Sequence, residues 1–329
     1  MNANRNVQGN ANRSGEPGLP AIWRESRVNG YCSVVGENEF LRVEAVPSRG
    51  SKIVSLRNKQ SGKEWVYRND RPWHPLRYGM DWGGGDRMGW DEMFPTILPC
   101  LCPDRPWEHA SYPDHGEVWP LPWQCEIGDR DVRMRVYGVQ VPYRLDKTCR
   151  LEGQDLIIEY ELTNPTPFPI SYLWAAHFLL DVEPGTRLIT EPGLDSVIYY
   201  YSHMGRLGRM NDRLSYPAAS KDGATVMLDE TEPKLDRAAE KYWFERELTQ
   251  GYAGVVTPQG GKLMYRFAPE DVPYLAVWAN YGAFWGEYNF AFEPATGFLD
   301  DVSIAKKLGR VRQVEAYASR RWTLTITVQ

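Results

Sequence analysis

FLRVEAVPSRGSKIVSLRN, residues 40–58, decides the fold class. Apolar and polar residues alternate on either side of the turn Ser48-Arg49-Gly50. A period of two is that of a strand with one buried face, and two such runs around a short Gly-bearing turn make a hairpin. The pattern recurs along the chain. DLIIEYELTNPTPFPISYLWAAHFLL (155–180) reads as a strand, an Asn-Pro-Thr-Pro turn and a further strand. GKLMYRF (261–267) and YLAVWANY (274–281) read as strands about a Pro-Glu-Asp turn. RRWTLTITVQ (320–329) places Trp322, Leu324, Ile326 and Val328 on one face. Only SIAKKLGR (303–310) and DRAAEKYWF (236–244) read as short helices. Many short strands joined by long loops predict an all-β chain, an antiparallel sandwich or closed barrel with a few short helices.

No break in composition divides residues 20–329, which read as a single β-sandwich domain. Residues 1–19 are polar and Asn/Gly-rich, and read as a flexible tail without the apolar core of a signal peptide. The five cysteines follow no framework spacing, as expected of reduced thiols in the cytoplasm. A net charge of −5 carries no nucleic-acid footprint, and no run of apolar residues is long enough for a membrane span. Aromatic residues make up 13% of the chain, with thirteen tryptophans, which suits either a large aromatic core or a surface that stacks sugars.

Residues 80–125 break the alternation. GGGDRMGWDEMFPT (83–96) is rich in Gly, Asp and Trp, and is expected to be a loop rather than a buried strand. A long irregular segment on a β scaffold is where binding residues tend to sit. Arg87 offers a donor fork, Trp90 a stacking face, and Asp91 and Glu92 two acceptors. The loop lacks the GxxxxGK[ST] pattern of a phosphate cradle. SYPDHGEVWPLPW (111–123) places one of only five histidines, His115, between Asp114 and Glu117. Asp114 can fix the tautomer of His115. A metal reading would join His115 and Glu117 to His177 or Glu183, but no spacing supports that set. His177 lies in the apolar strand of YLWAAHFLLDVEPG (172–185), and Glu293 closes NFAFE just before Pro294. A carboxylate so placed is either ion-paired or functional.

GWDEMFPT (89–96), PDHGEVW (113–119), WAAHFLLDVEPG (174–185), VWANYG (277–282) and FEPATG (292–297) together resemble the aldose 1-epimerase (galactose mutarotase-like) family. The likeness is to its uncharacterised bacterial branch more than to the well-known galactose mutarotases, which carry an Asn-His loop where this chain has Asp114-His115. The resemblance implies a β-supersandwich with a small-molecule sugar as partner and no cofactor or metal. It implies Glu293 as the base on the anomeric hydroxyl, His177 as the acid on the ring oxygen and His115 as a second histidine on the substrate. Arg87, Trp90, Asp91, Glu92, Asp114, Glu117, Trp278 and Asn280 are then candidates for the pocket wall. Three other readings stand beside epimerisation. One is a sugar-binding protein without turnover, and another a metal-dependent isomerase. The third is a glycoside hydrolase or lyase pairing Glu293 with Asp91 or Glu92, which needs carboxyl groups about 5–9.5 Å apart.

Overall fold

Alternation becomes sheet wherever it was expected. Leu41–Val46 and Lys52–Asn58 form the hairpin, with Arg42 opposite Arg57 and Val43 opposite Leu56. The turn between them needs Gly50: its φ is +69°, and a Cβ there would lie 2.1 Å from the Trp119 carbonyl oxygen. The computed structural model describes residues 21–221, 223–234 and 238–329, so the expected tail at 1–19 lies outside them.

Among the described residues two antiparallel sheets dominate. The larger has eleven strands in the order Ile22–Val28, Tyr31–Glu37, Leu41–Val46, Lys52–Asn58, Trp90–Met93, Ala175–Phe178, Tyr288–Ala295, Tyr274–Tyr281, Ala239–Phe244, Ser196–Ser202 and Arg213–Ser215. The smaller has eight, in the order Arg187–Thr190, Tyr252–Val256, Lys262–Phe267, Ser319–Val328, Asp155–Thr163, Arg144–Glu152, Asp131–Tyr137 and Gln124–Ile127. One α-helix is present among these residues, Val302–Lys307, capped by the Asp301 side chain. None is long and apolar enough to cross a membrane, which says nothing of strands.

The sheets meet through aromatic side chains. Tyr265 of the smaller sheet meets Phe178 and Phe292 of the larger, each at 6.0 Å, and within the smaller sheet Tyr160 stacks on its cross-strand neighbour Trp322 at 5.3 Å. Trp322, Leu324, Ile326 and Val328 are all buried, as their shared face requires. Such ring pairs contribute about 0.5–1.5 kcal/mol each beyond area burial. The large aromatic content therefore serves the core first.

Two expectations are corrected. Of residues 236–244, expected to be helical, 236 and 237 lie outside the described residues, and Ala239–Phe244 is a strand paired on both sides. Ala238-Ala239-Glu240-Lys241 favours a helix locally, but Tyr242, Trp243 and Phe244 are buried strand formers with a partner on each edge, and tertiary pairing overrides propensity. Trp90–Met93 lies inside the segment expected to be a loop, yet it is a fully buried strand between Lys52–Asn58 and Ala175–Phe178. Its two adjacent carboxylates point to opposite faces, and each meets a buried lysine. Asp91 lies 3.1 Å from Lys52 Nζ and Glu92 2.8 Å from Lys147 Nζ. Glu92 also accepts from Tyr160 Oη and Trp174 Nε1.

Removing one member of a buried pair leaves an uncompensated charge. Lys147→Met is expected to lower the unfolding free energy by about 3–5 kcal/mol. Urea unfolding followed by tryptophan fluorescence measures it, and an unchanged midpoint would show that the pair contributes nothing.

Candidate active site

The site is written into the register of the larger sheet. Residues directly opposite on antiparallel strands share a face. His177 pairs with Asp91 on one side. On the other, Ala175 pairs with Ala295 and Leu180 bridges to Phe290, which sets His177 opposite Glu293. Glu293 pairs with Ala276, and Ala276 with Trp243. Asp91, His177, Glu293, Ala276 and Trp243 thus form one row across five strands, on the face away from the second sheet. The neighbouring row holds Ala291, Trp278, Lys241 and Tyr201. Ala276 carries too little side chain to keep Lys241 from Glu293, and Lys241 Nζ lies 2.7 Å from Glu293 Oε2 and 3.1 Å from Asp300 Oδ2. Trp243 Nε1 donates to the other oxygen of Asp300 at 2.9 Å.

Two loops roof this row. His115 has a φ of 57°, uncommon for a residue other than glycine. Gly116 follows at +76°, with its Cα so close to Phe94 that a Cβ would meet the Phe94 oxygen at 2.1 Å. Only glycine permits that approach. Glu117 anchors the loop from inside, accepting from Tyr78 Oη, Tyr143 Oη and the Gln140 amide, each at 2.8 Å. Asp114 accepts from His115 Nδ1 at 2.9 Å and from the Trp82 amide at 2.8 Å. The Trp82 indole stacks on His115 at 5.1 Å and meets His177 edge-on at 4.7 Å, while its Nε1 donates to Asp91. The two imidazoles lie 5.2 Å apart. Trp82, Asp114, His115, His177 and Glu293, together with Tyr201, Trp278, Phe284 and Trp285, line one cavity of about 510 Å³.

No protein-family model matches the chain, and no curated protein matches its sequence. Solved structures do match its fold. A protein from Klebsiella pneumoniae, provisionally assigned as an aldose 1-epimerase, superposes with a TM-score of 0.70 at 17% identity, over 91% of this chain and 79% of that one. A galactose mutarotase-like protein from Lactobacillus casei gives 0.66 at 18% identity, over 90% and 100%. The Slr1438 protein from Synechocystis gives 0.65 at 19%, over 97% and 99%. The fold is galactose mutarotase-like.

In this galactose mutarotase-like sandwich, Glu293, His177, His115, Asp114 and Trp278 all line the cavity. The other candidates for the wall do not. Trp90 and Glu92 face the second sheet, where Trp90 stacks on Phe178 at 4.6 Å. Their place on the opposite face follows from the one-residue offset to Asp91. Asp91 lies on the site face but beneath Trp82, which covers it. Glu117 is a loop anchor. Asn280 accepts from the Gly282 and Phe284 amides and so shapes the hairpin that carries Phe284 and Trp285. Arg87 packs its guanidinium 4.0 Å from the Trp285 ring centroid, with Nε 3.3 Å from Glu287. It supports the wall from behind. With Glu92 in the interior and Asp91 covered, the carboxyl partners expected for glycoside hydrolysis are not presented to the cavity. Among the described residues no three His, Cys, Asp or Glu side chains are placed to hold a metal ion.

Sequence reasoning missed Trp82, Lys241 and Asp300. Lys241 was concealed by the helical reading of its segment. Trp82 stands beside three glycines, and its only signal was the irregularity of the loop.

Burial pushes the Glu293 carboxyl above its ordinary range, although the Lys241 ammonium pulls it back part of the way. Burial opposes the charge on Lys241, but Asp300 and Glu293 outweigh it and raise its pKa. Burial drives His177 well below the usual imidazole value, and the nearby His115, Lys241 and Lys52 add to this. Burial also disfavours the charged form of Asp114, yet the hydrogen bonds from His115 and Trp82 prevail and lower its pKa. His177 Nδ1 is buried without a partner.

The sign of the pH effect follows. The unfolded chain protonates this imidazole near pH ~6.5, and the folded chain only well below. Below that pH the unfolded state binds more protons, so His177 makes stability fall as pH falls. The His177 ring resonances are expected to stay at neutral positions from about pH 8 to about pH 5.5 in carbon–proton NMR. A midpoint near ~6.5 would contradict the effect of burial.

Proposed function

We propose that the protein is a carbohydrate 1-epimerase, interconverting the α and β anomers of a reducing sugar by ring opening. The observation that carries the reading is the in-register opposition of His177 and Glu293 at the floor of one cavity, with His115 5.2 Å from His177. Ring opening of a hemiacetal needs a base on the anomeric hydroxyl and an acid on the ring oxygen. Glu293, with its pKa raised by burial, is the base.

The acid must carry a proton at neutral pH. Two imidazoles this close resist being charged together. Burial disfavours a proton on His177, whereas the Asp114 carboxylate holds His115 by Nδ1 at 2.9 Å and fixes the ring in place. We assign the acid to His115 and to His177 the holding of a sugar hydroxyl, the reverse of what the family resemblance alone implies. Glu293 takes the proton of O1 as the bond from C1 to the ring oxygen breaks, and His115 gives its proton to that oxygen. C1 turns about its bond to C2. The ring hydroxyl then returns its proton to His115 and attacks the other face of the aldehyde, and Glu293 reprotonates O1. All protons are restored, and no cofactor enters the sequence.

The Lys241 contact with Glu293 favours a second reading, because an ammonium at 2.7 Å weakens a carboxylate base. A sugar-binding protein without turnover would tolerate that pairing.

The test is saturation-exchange NMR of anomeric protons across a panel of reducing sugars. Glu293→Gln and His115→Asn are each expected to lower kcat by about 10²–10⁴-fold. His177→Asn is expected to raise KM more than it lowers kcat. Loss of kcat in His177→Asn but not in His115→Asn would return the acid role to His177. No acceleration with any sugar would leave the binding reading.

A further inference from the structure

We infer that the cavity has a second sugar subsite, and that its ligand is a neutral reducing disaccharide or longer chain rather than a monosaccharide. The inference rests on the carbohydrate reading of the site, and adds to it a substrate class.

The distance across the sheet carries the argument. Tyr201 belongs to the Ser196–Ser202 strand, the third strand over from that of Glu293. At about 4.8 Å per strand, the two backbones lie about 14 Å apart across the sheet, and the backbone of His177 lies one strand further. A ring held between Glu293 and His177 therefore leaves the Tyr201 end of the cavity to a second one. All three nevertheless line the same cavity. The Ser196–Ser202 strand has a register break between Tyr199 and Tyr201, and both Tyr200 and Tyr201 reach the cavity. A bulge is the means by which a strand turns an extra side chain to one face.

The far end is built as a stacking surface. Phe284 lies 5.8 Å from Tyr201, 5.6 Å from Trp278 and 5.5 Å from Trp285, so four rings form one continuous patch. Trp285 is 48% and Tyr201 37% exposed, so both rings offer open area to a ligand in the cavity. Trp285 is held in place from behind by Arg87, at 4.0 Å, so it is presented rather than free. Trp82 is engaged with His115 and His177. Trp278, on the strand next to that of Glu293, can serve the ring bound for opening, which leaves Tyr201, Phe284 and Trp285 beyond it for a second ring. A pyranose lays an apolar C–H face on such rings. Among the described residues that line the cavity, Lys241 is paired with Glu293 and Asp300 and His115 with Asp114, and Arg87 is turned away, so no unpaired cation awaits a phosphate or carboxylate there.

The experiment uses the Glu293→Gln protein with glucose, galactose, maltose, cellobiose and lactose. Saturation-transfer NMR reads which sugar protons touch the protein, and titration gives Kd. At least one disaccharide is expected to receive saturation on both rings and to bind about tenfold tighter than its monosaccharide, as one extra stacked ring allows. Trp285→Ala and Tyr201→Ala should each shrink that preference and remove saturation from the second ring. Saturation confined to the reducing ring, equal affinity for one ring and two, or no binding of any disaccharide would overturn the subsite. Wild-type exchange measurements separate this from the function proposed above. Two-ring binding without anomeric exchange keeps the subsite and removes the epimerase, whereas exchange with one-ring binding does the opposite.

Discussion

The site depends on the seating of one short strand. Ala175–Phe178 is held between Trp90–Met93 and Tyr288–Ala295, and its register decides which side chains face which way. A slip of one residue inverts every side chain on a strand. Slipped by one, His177 would enter the aromatic layer between the sheets, and Ala176 would stand opposite Glu293. The present register is locked from the core side. Trp90 stacks on Phe178, and Glu92 meets Lys147, Tyr160 and Trp174. Packing on one face thus places chemistry on the other.

Buried charge runs through the arrangement. Lys52 with Asp91, Lys147 with Glu92, and Lys241 with Glu293 and Asp300 are three buried lysines that each meet a carboxylate. Such pairs contribute little net stability against apolar replacements, but they are costly to break. They also aim side chains. Asp91 holds the Trp82 indole, Trp82 stacks on His115, and Asp114 holds both the Trp82 amide and His115. The histidine ring at the cavity mouth is placed by a chain of contacts that begins on a central strand and ends in a loop.

Much of the fold was legible because alternation is a local signal. The hairpin at 40–58 and the strand ending in Val328 needed only the period of two and a turn. The strands at 90–93 and 239–244 were not legible, and the reason is shared. Each carries charged residues that no isolated strand would bury, and each does so because a partner distant in sequence neutralises them. Lys147 is 55 residues beyond Glu92, and Glu293 is 52 beyond Lys241. Distances of that kind leave no trace in a window of ten residues. Within the site, Glu293, His177, His115 and Asp114 were legible as short motifs, while Trp90, Glu92 and Glu117 stand in those same motifs for structural reasons.

The sequence by itself determined the class of fold, the irregular segment that roofs the larger sheet, and the residue types able to move protons. Period, turn chemistry and scarce histidines are properties of the chain. Tertiary structure alone decided which of two adjacent carboxylates, Asp91 or Glu92, faces the site, which histidine is kept neutral, and that Lys241 reaches Glu293 across Ala276. Each of these depends on strand order and register, which join residues far apart in the chain, and on burial, which sets the cost of a charge only once the neighbours are in place.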